Sequence, residues 1–207
     1  MRKKIHLIGA LFIATLPFTV VRVTLYRLFF RYKIEKSKIG WLTIIYIDNL
    51  TMENASINAF NIFSGSFDVV METNSSIGSF NYFRCGKWAK DMHREGKLVL
   101  HKDAFIVSQH YFDLFGTIII GEKSIIAGVR SQFWTHGGMS TEVNITIGKE
   151  CYIGSGVKFA PGTAIPDFSL CALGSVVTKK FMKAHTLIGG VPAKEIRSNI
   201  NWREKWK

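Results

Sequence analysis

Apolar side chains recur at every sixth residue along the C-terminal half of the chain. From residue 147 the spacing runs without a slip, at Ile147, Ile153, Phe159, Ile165, Cys171 and Val177. A compact side chain stands two positions before most of these apolar residues. Neither an amphipathic helix nor an alternating strand repeats at six, whereas a β-solenoid does. Three hexads close one triangular coil, so each apolar residue should stack on the residue eighteen later.

A looser form of the same repeat occupies the middle of the chain. Many corner glycines are missing there, and residues 84–99 and 137–145 break the period, which predicts two loops that leave the coil. Positions of the looser repeat are Ile57, Phe63, Val69, Ile77, Phe83, Leu100, Ile106, Phe112, Ile120 and Ile126. We therefore predict an all-β solenoid over residues 34–188, with distinct segments at 1–33 and 189–207.

The first 33 residues differ from the rest. A basic start, Arg2 to Lys4, precedes an uncharged stretch at 5–21, apart from His6, and Arg22 opens a basic and aromatic run. The apolar stretch is shorter than the roughly 20 residues that a spanning helix needs, and no convincing signal-peptide cleavage site follows it. Two compatible interpretations stay open: helices that lie on a membrane surface, or a cap on the first coil.

The C-terminal segment 189–207 leaves the repeat. Trp202 and Trp206 lie four residues apart, on one face of a helix. This spacing predicts a terminal helix that packs on the coils.

Charge and cysteine content narrow the choice of partners. The formal net charge is +12, but no nucleic-acid motif accompanies it, so anionic lipid, a phosphorylated cofactor or an acidic glycan fits better. The three cysteines are odd in number and lack metal-ligand spacing, which favours a reducing compartment and predicts no metal site.

Several motifs resemble those of the hexapeptide-repeat acyltransferases, in particular polysaccharide-biosynthesis O-acetyltransferases and the galactoside/maltose acetyltransferase group. They are the Ile-Gly pairs at 147–148 and 153–154, Leu-Gly-Ser at 173–175, Thr-Lys at 178–179, and Gly-Val-Pro-Ala-Lys at 190–194. The resemblance implies a left-handed parallel β-helix, a homotrimer and acetyl-CoA as the acyl donor. It also implies a cytoplasmic enzyme of surface polysaccharide synthesis that acetylates a sugar hydroxyl on a lipid-linked or nucleotide-linked intermediate. With the N-terminal segment it predicts contact with the inner membrane face.

His136 is the candidate catalytic residue. It ends a coil in a Thr-His pair just before a loop, where the family places its catalytic histidine. An imidazole supplies a general base near neutral pH. His136 would take the proton of the attacking hydroxyl.

The resemblance also assigns acetyl-CoA contacts residue by residue. Leu173 stands where alanine is usual and would contribute its backbone, and Lys194 stands where arginine is usual. The assigned positions are Ser155, Leu173, Thr178, Lys179, Lys194 and Arg197.

Three further residues are candidates for acceptor binding: His110, Asp113 and Trp134. A bulky polar group at His110, two positions before Phe112, is unusual in a repeat. It would either orient the acceptor or lie near His136 of a neighbouring subunit; the structural alternative is a corner histidine bonded to Asp113.

Other functions on this fold remain as alternatives. One is N-acetylation of an amino sugar, and another is a non-catalytic scaffold subunit. The third is a zinc site of the γ-carbonic-anhydrase kind built from His101, His110 and His136, although their spacing does not match that family.

Overall fold

The computed structural model describes residues 2–86, 88–92, 94–137 and 141–204, and most of them wind as a parallel β-helix. Two helices come first, α1 (Arg2–Thr15) and α2 (Thr19–Phe30), and a short helix, α3 (Trp88–Asp91), lies in a later corner.

Short strands make up the coils. In chain order they are β1 (Lys33–Glu35), β2 (Lys38–Ile39), β3 (Ile44–Tyr46), β4 (Asn49–Glu53), β5 (Ser56–Ile57), β6 (Ile62–Ser64), β7 (Phe67–Met71), β8 (Ser76–Ile77), β9 (Tyr82–Arg84), β10 (Gly96–Leu100), β11 (Phe105–Ile106) and β12 (Tyr111–Asp113). They continue as β13 (Thr117–Ile120), β14 (Ile125–Ile126), β15 (Gln132–Trp134), β16 (Ile145–Ile147), β17 (Tyr152–Ile153), β18 (Lys158–Phe159), β19 (Ala164–Ile165), β20 (Leu170–Cys171), β21 (Val176–Val177), β22 (Leu187–Gly190) and β23 (Ala193–Arg197).

Every third strand joins the same sheet, so the coil has three faces. Sheet A contains β1, β4, β7, β10, β13, β16 and β19; sheet B contains β2, β5, β8, β11, β14, β17 and β20, extended by β22 and β23; sheet C contains β3, β6, β9, β12, β15, β18 and β21. Strands pair in parallel within the coils. The predicted stacking at eighteen residues is confirmed: Ile147 lies beside Ile165, Ile153 beside Cys171 and Phe159 beside Val177.

A column of phenylalanines fills the interior behind sheet C. The column is Phe63, Phe83, Phe112, Phe133 and Phe159, all fully buried, and successive rings stack with centroids 4.3–4.7 Å apart. Burying a side chain of this size stabilises the fold by roughly 1.5–3 kcal/mol. The coil is therefore held together along its axis by contacts between neighbouring turns.

A polar ladder runs beside this column at the corner that leads into sheet C. The Asn61 side-chain oxygen accepts from the Asn81 backbone N–H (2.9 Å), and that of Asn81 accepts from the His110 N–H (2.9 Å). His110 Nδ1 in turn accepts from the Ser131 N–H at 3.1 Å. Each rung thus satisfies a buried backbone donor of the next coil, as buried polar groups require.

His110 belongs to this ladder and not to the surface. It is 1% exposed, so its ring is not accessible from the surface, and its Nδ1 pairs with the Ser131 N–H and not with Asp113. Nδ1 accepts a hydrogen bond, so the neutral ring carries its proton on Nε2. Burial lowers the pKa of His110 to about 4, although the carbonyls of Ile126 and Gly128 act in the opposite direction.

Replacing His110 by asparagine should remove a pH dependence of stability. As the pH falls from 6.5 towards 4, the unfolded chain takes up a proton that the folded chain refuses, so stability is lost over that window. The loss amounts to about 3 kcal/mol. Urea unfolding at about pH 7 and pH 4.5 should show it in the wild type and not in His110→Asn, since asparagine already occupies two rungs. An equal loss in both proteins would contradict this assignment.

The N-terminal helices cap the first coil. The buried Arg22 donates to the Ile39 carbonyl through Nε (3.1 Å) and Nη2 (2.8 Å). The Tyr26 hydroxyl accepts from the Ile45 N–H (3.1 Å), and that of Tyr32 from the Ile47 N–H (3.2 Å). Polar side chains thus pair the open backbone edge, which would otherwise lack partners.

The outer side of the helix pair is apolar and exposed. Exposed fractions reach 66% at Ile8, 63% at Phe12, 68% at Phe18, 69% at Leu28 and 67% at Phe29. Within the described residues, no helix combines the length and apolar content needed to cross a membrane.

The C-terminal segment differs from the prediction. Among the described residues 189–204 there is no α-helix; β22 and β23 form an antiparallel hairpin on the edge of sheet B instead. The Gly189-to-Pro192 turn, with Gly190 at φ +104°, cannot continue a helix, and the free edge of β20 offers backbone partners to the chain. Trp202 packs against Tyr152 and donates to the Glu150 carbonyl (2.8 Å), whereas Trp206 lies outside the described residues.

The two breaks in the repeat are shorter than predicted. Strand β9 reaches Arg84 and β10 starts at Gly96, so the first excursion lies between them and contains α3. The second excursion ends where β16 begins at Ile145, and residues 138–140 of it lie outside the described structure.

Candidate active site at the rim of sheet C

His136 stands at the corner between sheets C and A. Strand β15 ends at Trp134, Thr135 is fully buried, and the His136 side chain is 36% exposed. The break in the repeat carries the chain away from the coil at this point. The imidazole therefore lies at the rim, where a substrate can reach it.

Asp113 holds His136 from the preceding coil. His136 Nδ1 lies 2.6 Å from Asp113 Oδ2, and only 4% of the aspartate side chain is exposed. A carboxylate can only accept, so Nδ1 donates and the lone pair of the neutral ring lies on Nε2. The pair is a His-Asp dyad with the geometry of a positioned general base.

Thr135 locks the carboxylate in place. Its backbone N–H and its hydroxyl both lie near Asp113 Oδ2, at 3.2 and 3.1 Å, and its hydroxyl lies 2.6 Å from the Asp113 carbonyl. The same hydroxyl accepts from the Gly116 N–H at 2.9 Å. Because this buried network ties two coils together, it restricts both the aspartate rotamer and the orientation of the imidazole.

Aromatic rings surround the imidazole. The ring centroid of Trp88, from α3, lies 5.2 Å from that of His136, Phe115 lies at 6.0 Å and Trp134 at 6.2 Å, all edge-to-face. Trp88 also packs on Phe115 at 4.7 Å. The excursion that contains α3 thus folds back over the dyad and forms one wall of the site.

The predicted acetyl-CoA contacts occupy three parts of the surface. Ser155 and Leu173 lie at the corner between sheets B and C, where the Gly174 N–H donates to the Ser155 carbonyl (2.9 Å) and Leu173 is 79% exposed. Thr178 and Lys179 follow β21, and Lys194 and Arg197 lie on β23; all four are exposed.

A single chain does not bring Ser155 or Leu173 to His136, whereas Thr178 and Lys179 follow sheet C at the same corner as His136, two coils further on. Ser155 lies at the corner that leads into sheet C, and His136 lies at the corner that leads out of it. The width of sheet C therefore separates the two residues. Three of the predicted contacts are exposed cations that can bind phosphate groups: Lys179, Lys194 and Arg197. The donor set fits a coenzyme with a phosphorylated end, but the parts of the site would have to meet across two subunits.

The histidines considered for zinc lie apart. His101 sits at the corner between sheets A and B and bonds Glu72 through Nδ1 (2.9 Å), while His110 is in the interior. Within the part of the chain that the structure describes, no group of three or more His, Cys, Asp or Glu residues could hold a metal ion.

Comparisons with known proteins agree with this architecture. The galactoside O-acetyltransferase of Escherichia coli (strain K12) is 44% identical over 99 residues, which cover 43% of this chain and 47% of that protein. A hexapeptide-repeat acetyltransferase structure from Vibrio cholerae matches with a TM-score of 0.51 at 20% identity, over 96% of this chain and 93% of that one. The N-acyltransferase AntD from Bacillus cereus, solved with dTDP and 3-hydroxybutyryl-CoA, matches with a TM-score of 0.53 at 16% identity, over 89% and 90%.

The chain has the left-handed β-helix fold of these hexapeptide-repeat structures. This confirms the resemblance found in the sequence. No family model matches the chain. The chain spans about half the length of the galactoside O-acetyltransferase that it matches.

The hexapeptide pattern alone does not reveal the surroundings of the dyad. Trp88 lies in the charged excursion, where a solvated loop is the default prediction, and Phe115 lies in a corner insertion. The breaks in the repeat are the sequence feature that points to these residues, because side chains outside the hexapeptide pattern occur where the period of a solenoid is interrupted.

Replacing Asp113 by asparagine should change the tautomer of His136 without unfolding the protein. The amide can donate to Nδ1 and favour the tautomer that carries its proton on Nε2, so Nε2 can no longer accept a proton. If His136 acts as a base, kcat should fall by about 10² or more with little change in KM. Nitrogen-15 NMR of His136 would report the tautomer, which a merely structural role would leave unchanged.

Proposed function

We propose that this protein transfers an acetyl group from acetyl-CoA to a sugar hydroxyl. The observation that carries the proposal is the dyad at the rim: Asp113 orients Nδ1 of a half-exposed His136, so that Nε2 can act as a base towards solvent. The likeness to a galactoside O-acetyltransferase supports a hydroxyl acceptor.

His136 would remove the proton of the acceptor hydroxyl as its oxygen attacks. Acetyl-CoA supplies the acetyl group as a thioester. The imidazolium that forms would be stabilised by the buried Asp113 carboxylate, since an opposite charge at 2.6 Å favours the charged ring. The same ring can then return its proton to the departing sulfur.

Two subunits would complete each site. His136 and the proposed coenzyme residues Ser155 and Leu173 lie at different corners of one chain. In a threefold assembly, the corner with His136 of one subunit would lie against the corner with Ser155 and Leu173 of the next. Light scattering should give three times the chain mass of 23.4 kDa. A monomer that is fully active would contradict this arrangement.

The acceptor would be an intermediate of surface polysaccharide synthesis, carried on a lipid at the inner membrane face. Phe12 and Phe18 on the outer side of the helix pair, together with the basic Arg27, match an anionic membrane surface. Flotation with anionic vesicles should carry the full chain to the top of a gradient, whereas neutral vesicles should carry less. Equal recovery without vesicles would contradict membrane contact.

The decisive experiment is a transfer assay with purified protein. Acetyl-CoA consumption, corrected for hydrolysis, is measured against a panel of glycans, and the products are analysed by mass spectrometry and NMR. An O-acetyl product supports the proposal, and an N-acetyl product would assign the chain to amino-sugar acylation. Failure to bind acetyl-CoA would assign it to a non-catalytic scaffold role.

A further inference from the structure

A long cleft runs parallel to the axis of the β-helix, from the N-terminal α-helices towards His136. It has a volume of about 930 Å³, and we call it the axial cleft. Its first end is formed by His6 and by Phe29 to Arg31, its floor by the ends of β3, β6 and β9, and its far end by Trp88.

The far end of the axial cleft adjoins the dyad. Trp88 lines the cleft and lies edge-to-face with the His136 ring, at 5.2 Å. Arg84, at the end of β9, is the Cα partner of Asp113 in the parallel register. The cleft and Asp113 are therefore separated by a single strand spacing of about 4.8 Å.

Outward-facing aromatic rings continue the same path across sheet C. Tyr82, which lines the cleft, packs on Tyr111 (5.8 Å), Tyr111 packs on Trp134 (4.7 Å), and Trp134 reaches His136 (6.2 Å). From β3 to β15 the path crosses four strand spacings, roughly 19 Å. A chain of several sugar units could lie along it, since aromatic faces suit the apolar faces of sugar rings.

The charges of the cleft select an anionic ligand. Two exposed arginines, Arg31 and Arg84, line it with His6, against one acidic lining residue, Asp48. Burial raises the pKa of the Tyr111 hydroxyl, and the Arg84 guanidinium acts against this larger effect, so it lies beside the aromatic path. Guanidinium groups bind carboxylate and phosphate in a bidentate way, so they recognise an acidic sugar better than a neutral one.

We propose that the axial cleft is the acceptor site and that it binds an acidic oligosaccharide, with Arg31 and Arg84 on its anionic groups and one hydroxyl delivered to His136. This inference rests on the proposed function and adds the class of acceptor. It also assigns to Trp88 the position of a side wall of the acceptor site, next to the base.

The test compares two cleft variants with a charge-matched control. Arg84→Gln and Arg31→Gln each remove one cation from the cleft, and Lys102→Gln removes one exposed cation at the corner between sheets A and B. Binding of uronic-acid oligomers, sialic-acid oligomers and neutral galactose oligomers of equal length is measured by calorimetry. The full-length His136→Ala protein serves as the background, so that no turnover intervenes.

We expect acidic oligomers to bind about 10–100-fold more weakly to each cleft variant. Acidic oligomers should bind to Lys102→Gln with unchanged affinity. Neutral oligomers should bind more weakly than acidic ones to every protein with an intact cleft. In the active background, the KM for an acidic acceptor should rise with kcat retained.

Three results would overturn the inference. These are no binding of either acidic oligomer, equal binding by all variants, and loss of the trimer in the arginine variants, which would assign the cleft to a subunit contact. Binding is measured without catalysis, so a protein that transfers acetyl groups normally but fails this test would refute the cleft alone. A protein that passes it and transfers none would refute the proposed function alone.

Discussion

Replacing His136 by alanine should reduce acetyl transfer by about 10²–10⁴-fold. The loss follows from the proposed role of the ring: Asp113 and Thr135 hold the imidazole at the rim, and alanine leaves no group to take the hydroxyl proton. Steady-state rates with acetyl-CoA and a glycan acceptor measure the effect, and the loss should fall on kcat.

A matched histidine variant separates catalysis from folding. His101 is also partly exposed and also bonds a carboxylate, that of Glu72, but it lies at another corner. His101→Ala should keep nearly full activity, and both variants should melt close to the wild type. Undiminished transfer in His136→Ala would remove the basis of the proposed mechanism.

Replacing Phe112 by alanine should lower the free energy of unfolding by about 3–5 kcal/mol. The ring is stacked between Phe83 (4.7 Å) and Phe133 (4.4 Å), and its neighbours belong to rigid coils that cannot collapse into the space left behind. Urea unfolding at neutral pH measures the change.

Phe80→Ala is the control for this experiment. Phe80 also stacks on another ring, that of Phe60 at 4.8 Å, but it stands at an outer corner and is 56% exposed. Its loss should cost about 1 kcal/mol or less. Equal costs for the two variants would mean that the interior column does not dominate stability.

The repeat predicted the interior of the coil residue by residue. Even in the looser half, Ile57, Phe63, Ile77 and Phe83 are buried at 0–1% exposure, although several corners there lack glycine. The alternation of buried and outward-facing positions depends only on local spacing, so it can be predicted from the sequence. Corners tolerate asparagine and even Phe60 at positive φ because the stacked strands on either side hold the backbone there.

The dyad could not be predicted in the same way. Asp113 and His136 are 23 residues apart, and corner insertions make this turn longer than eighteen residues, since Asp113 pairs with Trp134 across 21. Which outward side chains become neighbours depends on these insertions, and the hexad count does not determine it. For the same reason Asp113, expected at the acceptor, is found on the base itself.

The C-terminal helix failed as a prediction for a related reason. Two tryptophans at helical spacing are a local signal, but the open edge of β20 offers backbone hydrogen bonds that β22 takes, and the chain after the turn pairs with β22 as strand β23. Tertiary context overrode a weak local preference.

The cap formed by Arg22, Tyr26 and Tyr32 has a consequence for self-assembly. A β-solenoid is a tube whose terminal rung would accept another tube end to end, as growing fibrils do. By occupying the backbone groups of that first rung, these side chains make polymerisation at this end unfavourable. A chain without residues 1–32 should therefore form filaments, which electron microscopy would show.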